Sequence, residues 1–102
     1  TAPRVTKESI EARISSVTYN VVDHLTTCVI QMVNGFFTIG TAAPASVENF
    51  DPEVGKRYAY EDAFRGLWKL EGYLLREQLY QQDRAAQAAK QSQLDAGANP
   101  AP

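Results

Sequence analysis

The chain has 102 residues, with 12 acidic and 10 basic side chains, a net charge of −2, and 44% hydrophobic and 22% charged residues. These are the proportions of one ordinary globular domain. They supply no net positive field to draw in nucleic acid or an anionic membrane. The single cysteine, Cys28, excludes an intrachain disulfide and fits a reducing compartment. No run approaches the roughly 18 apolar residues of a membrane span, and the opening "TAPRVTKESI" has no apolar leader core. The expected setting is soluble and cytoplasmic.

"VTKESIEARISSV" opens with a helix start. Thr6 can accept an orphan backbone N–H as N-cap, Val5 and Ile10 stand at the positions of a hydrophobic staple, and Glu8 lies where the helix dipole favours it. A short helix is expected over residues 7–15. The next stretch, "SVTYNVVDHLTTCVIQMVNGFFTIGTA", is dense in β-branched and aromatic residues. Asn34-Gly35 is a hairpin signal, and a type I′ turn there would fix the register. Val33 would pair with Phe36, Gln31 with Thr38 and Val29 with Gly40. On the other face, Met32 would meet Phe37, Ile30 would meet Ile39, and Cys28 would meet Thr41. The second set is the more apolar and is assigned to the core. An earlier strand over residues 17–22 would pair through a turn at Asp23-His24-Leu25, giving a three-stranded antiparallel meander.

After the linker "TAAPASVENFDPEVG", Asp51-Pro52 reads as an N-cap followed by proline at the first helical position. A long helix over residues 52–82 is expected to lie across the sheet. Tyr60, Ala63, Leu67, Leu70 and Leu74 repeat at 3,4 spacing, and Phe64, Trp68, Leu75 and Leu79 widen the stripe. The fold class is therefore α+β: short N-terminal helix, three-stranded antiparallel meander, long C-terminal helix packed on the sheet. Residues 1–82 are read as one domain. Residues 83–102 are read as a helix extension ending in a disordered tail, "GANPAP".

Glu71 falls within the apolar stripe and is followed by Gly72. A carboxylate withdrawn from water needs partners. Strand hydroxyls, Tyr19 or Arg13 could supply them, and the bland reading is a satisfied half-buried carboxylate. The sharper reading is a binding site or subunit contact. Gly66 and Gly72 flank the stripe, and each weakens a helix by about 1 kcal/mol relative to alanine, so they could admit another backbone or a ligand. Arg65, Lys69 and Arg76 lie on the polar face among charges of both signs, more simply read as a solvated face than as a phosphate stripe. His24 is read as a turn residue and Cys28 as a small buried hydrophobe. No metal-ligand spacing, phosphate loop or catalytic constellation occurs, so no enzyme, cofactor or metal is expected. Tyr58, Tyr73 and Tyr80 point away from the stripe, as exposed tyrosines at interfaces do. A partner on the outer helix face is expected, most simply a second copy, which makes a homo-oligomer through the long helix.

The segments "RVTKESIEARI", "VTYNV", "TTCVIQMVNGFFTIG", "NFDPEVGKRYAYEDA" and "LWKLEGYLL", taken in order, resemble the gene 49/gene 66 family of small tailed-phage proteins over about residues 4–80. The hairpin motif and "LEGYLL" carry the resemblance as a pair. It implies a phage or prophage accessory product in the cytoplasm of the infected bacterium. Relatives often have a second cysteine just after the hairpin. Here Ala42 and Ala43 stand in "TAAPAS", which weakens a redox or metal role built on a cysteine pair. The expected function is a non-enzymatic accessory protein that binds and inhibits or redirects a host component, such as a host-defence factor. The binding residues would be Glu71, Gly72, Arg65, Lys69, Tyr73 and Arg76. The alternatives are a sponge that sequesters a small nucleotide signal between subunits, and a DNA-linked regulator, which the net charge disfavours.

Overall fold

The computed structural model describes residues 2–98. Helix α1 (Lys7–Glu11) leads into strands β1 (Ile14–Val22), β2 (Leu25–Met32) and β3 (Phe37–Ala42), and then, past a single 3-10 turn at Val47–Asn49, helix α2 (Pro52–Ala98). The strands form one antiparallel sheet in the order β1-β2-β3. This is the α+β arrangement that the sequence predicts. The described residues fall in two units, one through Gly72 and one from Tyr73. In the second unit α2 continues with exposed side chains from Tyr80 to Asp95. The expected disordered tail falls on residues 99–102, outside the described residues, whereas Gly97 and Ala98 still belong to α2.

Both helix starts follow their capping chemistry. Thr6 Oγ1 accepts from Ser9 N at 3.0 Å, while Ser9 Oγ accepts from Thr6 N at 2.9 Å, a reciprocal capping box. The helix ends at Glu11, four residues before the predicted limit, because Ile14 already pairs with Met32. Asp51 Oδ1 accepts from Glu53 N at 3.0 Å and from Val54 N at 3.4 Å, opening α2.

The β2–β3 register differs from the predicted one by a residue. Cys28 pairs with Gly40, Val29 with Ile39, Ile30 with Thr38, and Gln31 with Phe37. Asn34-Gly35 does not form a two-residue type I′ turn. Met32 N donates to Phe36 O at 2.7 Å, closing a loop of three residues. Only Gly35 has positive φ there (89°), and Asn34 Oδ1 accepts from Phe36 N at 3.0 Å. This is the three-residue hairpin with a left-handed glycine at its end. A one-residue shift turns every β3 side chain to the opposite face. Thr38, Gly40 and Ala42 therefore share the α2 side with the buried residues of β2, and Phe37 and Ile39 face away, 56% and 62% exposed.

The shift is matched by the packing of α2. A Cβ on Gly40 would lie 2.2 Å from both Ala59 O and Ala63 N. Thr38 Oγ1 donates to Ala63 O at 3.0 Å, and Thr41 N donates to Asp62 Oδ2 at 2.9 Å. The helix backbone thus lies directly on β3. Ile10, Cys28, Ile30, Met32, Ala59, Ala63, Phe64 and Leu67 form the buried core. Each large apolar side chain buried there stabilises by about 1.5–3 kcal/mol. Because α2 lies so close to β3, it covers β1 poorly, and Val17, Tyr19 and Val21 remain 37–42% exposed on the same side of the sheet. Trp68 and Leu70, predicted for the core stripe, are 44% and 46% exposed.

Candidate functional site

Glu71 has found one of its predicted partners. Its Oε1 lies 2.6 Å from Arg13 Nε, with the glutamate side chain 12% and the arginine side chain 35% exposed. The Nε–H does not point along this line, so the contact is a charge pair in which the Nε–H lacks an aligned acceptor. Arg13 reaches it from the connection between α1 and β1, where Val33 N also donates to Arg13 O at 2.8 Å. The pair ties α2 to the start of the sheet.

The remaining predicted site residues are not gathered around it. Arg65 and Lys69 are exposed on the arc of α2 opposite Leu67. Arg65 Nη1 is held at 2.8 Å by Asp62 Oδ1. A Cβ on Gly66 or on Gly72 would meet nothing within 4 Å, so neither glycine is required by an approach within the chain. Tyr73 and Arg76 belong to the second unit, where both are exposed. His24 sits half-buried in the Asp23-His24 turn, and Cys28 is fully buried in the core. Burial pushes the Cys28 thiol up, against a smaller opposing effect of a hydrogen bond with Tyr19. Among the described residues, no three His, Cys, Asp or Glu side chains lie together as a metal site would require.

What the structure brings together is a groove beside α1. It encloses about 470 Å³ and is lined by Lys7, Arg57, Tyr60, Glu61, Phe64, Arg65 and Trp68. Tyr60, Phe64 and Trp68 follow one another at four-residue spacing. The Tyr60 and Phe64 ring centroids are 5.6 Å apart, and Phe64 meets Trp68 edge-on at 6.0 Å and 72°. Arg57, Glu61 and Arg65 form a second ladder, and Lys7 is the α1 contribution. Lys7, Arg57 and Arg65 stand among the carboxylates of Glu61, of Asp62, which holds Arg65, and of Glu11, which lies against Tyr60, so charges of both signs line the groove. Tyr60 Oη is 3.4 Å from Glu11 Oε2, and burial, reinforced by the Glu11 charge, raises its pKa above 10.0. A groove floored by aromatic rings and bordered by charges of both signs can hold a polar group that carries a flat or apolar part.

Sequence reasoning placed Arg65 at a site but assigned Tyr60, Phe64 and Trp68 to the core, and it gave Lys7 no role. The two i,i+4 ladders on α2 were the available signal. What could not be read was how much of the aromatic ladder the rest of the fold leaves uncovered, Trp68 above all.

A model of one protein family, described as Phage protein (N4 Gp49/phage Sf6 gene 66) family, matches residues 5–79. The match runs from just before α1 to beyond the Arg13–Glu71 pair, and so includes every groove residue. No curated protein and no solved structure matches the chain.

Proposed function

We propose, for a chain that belongs to the N4 Gp49/phage Sf6 gene 66 family of phage proteins, a non-enzymatic accessory role in which it binds a host component and inhibits or redirects it. The setting is the cytoplasm of the infected bacterium, and the target class is a host-defence factor. The observation that carries the reading is the groove of Lys7, Arg57 and Arg65 over Tyr60, Phe64 and Trp68. Arginine beside aromatic rings is the composition that recurs at protein hot spots. On this reading the exposed Arg65–Lys69 arc borders the contact.

The groove also favours a second reading, the sequestration of a small nucleotide signal. Its 470 Å³ lies within the range of small-molecule sites. Lys7 and Arg57 suit phosphate, and the half-exposed Trp68 offers a ring for a base.

Native mass spectrometry of the protein recovered from bacterial lysate tests both. A protein-sized added mass, lost in Trp68→Ala and Arg57→Glu, supports the first reading. An added mass of nucleotide size, lost in the same variants, supports the second. Binding that survives both substitutions removes the groove from either.

A further inference from the structure

The sheet face turned away from α2 is built from three complete rows and a fourth short one. Ser16, Gln31 and Phe37 form the first, Thr18, Val29 and Ile39 the second, Asn20, Thr27 and Thr41 the third, and Val22 with Leu25 the last. None of these residues carries a charge, although 22% of the chain is charged. Solvated sheet faces and edges ordinarily carry lysine or glutamate, which prevent association. Here the apolar content is concentrated instead. Phe37 and Ile39 are 56% and 62% exposed on neighbouring rows, and Val33 at the adjoining hairpin tip is 58% exposed; Phe36, opposite Met32, belongs to the other face. Taking about 200 Å² for each side chain, these three leave roughly 350 Å² open. That is a little under half of the ~800 Å² that each partner of a stable complex buries, and the uncharged polar rows supply the remainder.

We propose that this face is the contact between two copies of the chain, packed sheet on sheet as a six-stranded sandwich with the helices outside. A two-fold contact places the same patch on both sides, so a charged face would oppose itself, whereas a neutral one does not. The apolar residues lie on β3 and the hydroxyl and amide residues on β1. With the two-fold axis across the strands, β3 lies over its own copy, so Phe37 and Ile39 of the two chains meet along one edge of the sandwich and cover each other there. Sheets packed this way lie about 10 Å apart with interdigitated side chains. The groove beside α1 is on the helix side of the sheet and stays open in such a dimer. The contact is a different surface from the long helix, which the tyrosine pattern suggests for self-association.

The test is light scattering on the full chain from low to high micromolar concentration, with two charge variants of Ile39. Ile39 is exposed, so Ile39→Asp and Ile39→Lys should fold, with unchanged circular dichroism. The wild type is expected to be dimeric, and each variant to be monomeric, its dimerisation weakened at least a hundredfold. An equimolar mixture of the two variants should regain the dimer, because the opposite charges then face each other across the axis. Ile39→Thr, which keeps a β-branched strand residue, should weaken the dimer about tenfold and serves if either charge variant misfolds. A wild type that is monomeric throughout overturns the proposal. So do charge variants that remain dimeric, which would move the contact to α2 or to the β1 edge, and a mixture that stays monomeric.

Discussion

Arg13 and Glu71 are 58 residues apart in the chain and 2.6 Å apart in the fold. The glutamate that interrupts an apolar helix stripe is held by a cation from the turn between α1 and β1. Glu71 is well buried and Arg13 about one-third exposed, so water screens only one side of the pair. Glu71→Gln keeps the shape and removes the charge, leaving the guanidinium without its counter-ion. We expect a loss of about 1–2 kcal/mol, below the 3–5 kcal/mol typical of fully buried pairs, or roughly 5–10 °C in Tm for a chain of this size. Urea unfolding measures it. An unchanged midpoint would show that the pair is too well solvated to stabilise the fold.

Gly40 is the tightest point between sheet and helix. A methyl group there would lie 2.2 Å from two backbone atoms of α2, neither of which can rotate aside. Gly40→Ala must move the helix off β3, lengthening the Thr38–Ala63 and Thr41–Asp62 hydrogen bonds together. A destabilisation of about 3 kcal/mol or more is expected, at the upper end of overpacking effects. Thermal unfolding followed by circular dichroism checks it, and a shift under about 3 °C would mean that the helix has room to yield.

Much of this architecture is legible in the sequence. Thr6 and Asp51 mark the two helix starts by their side-chain chemistry, and both caps form. The strand density between them gives the meander, and the stripe through Ala63 and Leu67 gives the helix face. The β3 register was harder to read, because Asn-Gly suits both a two-residue turn and a three-residue loop with glycine last. Apolar pattern then favoured the wrong alternative, since placing Phe37 and Ile39 inward makes a richer core. What decides the register is the small size of Gly40, Ala59 and Ala63, which lets two backbones touch. That is a tertiary fit between distant residues and leaves no local trace. The groove escaped for a related reason, since whether Trp68 is covered depends on parts of the chain distant in sequence.

Thr26 is fully buried and its hydroxyl has no hydrogen-bond partner among the described residues. Gly55 lies over it, so close that a Cβ on that glycine would be 2.7 Å from Thr26 Oγ1. An unpaired buried hydroxyl costs about 1–3 kcal/mol relative to water. Thr26→Val removes the polar atom at nearly constant shape and is expected to raise stability by about 1 kcal/mol, read as a higher denaturant midpoint with an unchanged slope. A lower midpoint would reveal an ordered water bonded to the hydroxyl.

Tyr60 couples the groove to pH. Its ionisation is raised above 10.0, first by burial and then by the Glu11 carboxylate. The folded state therefore holds the phenol proton more tightly than the unfolded chain does. The stability this contributes is fully present below pH 10 and is lost as pH rises through the folded-state value. Tyr19 shifts in the same direction, led by its own burial, so two of the five tyrosines act together on the alkaline side. Tyr60→Phe removes one of them. At neutral pH the variant should lose little, because the 3.4 Å contact with Glu11 is long for a hydrogen bond. Above about pH 10 the wild type should lose stability faster than the variant, and the two curves of midpoint against pH should converge. Curves that stay parallel through that range would show that Tyr60 ionises alike in both states, as it would if the groove left the ring as wet as in the unfolded chain.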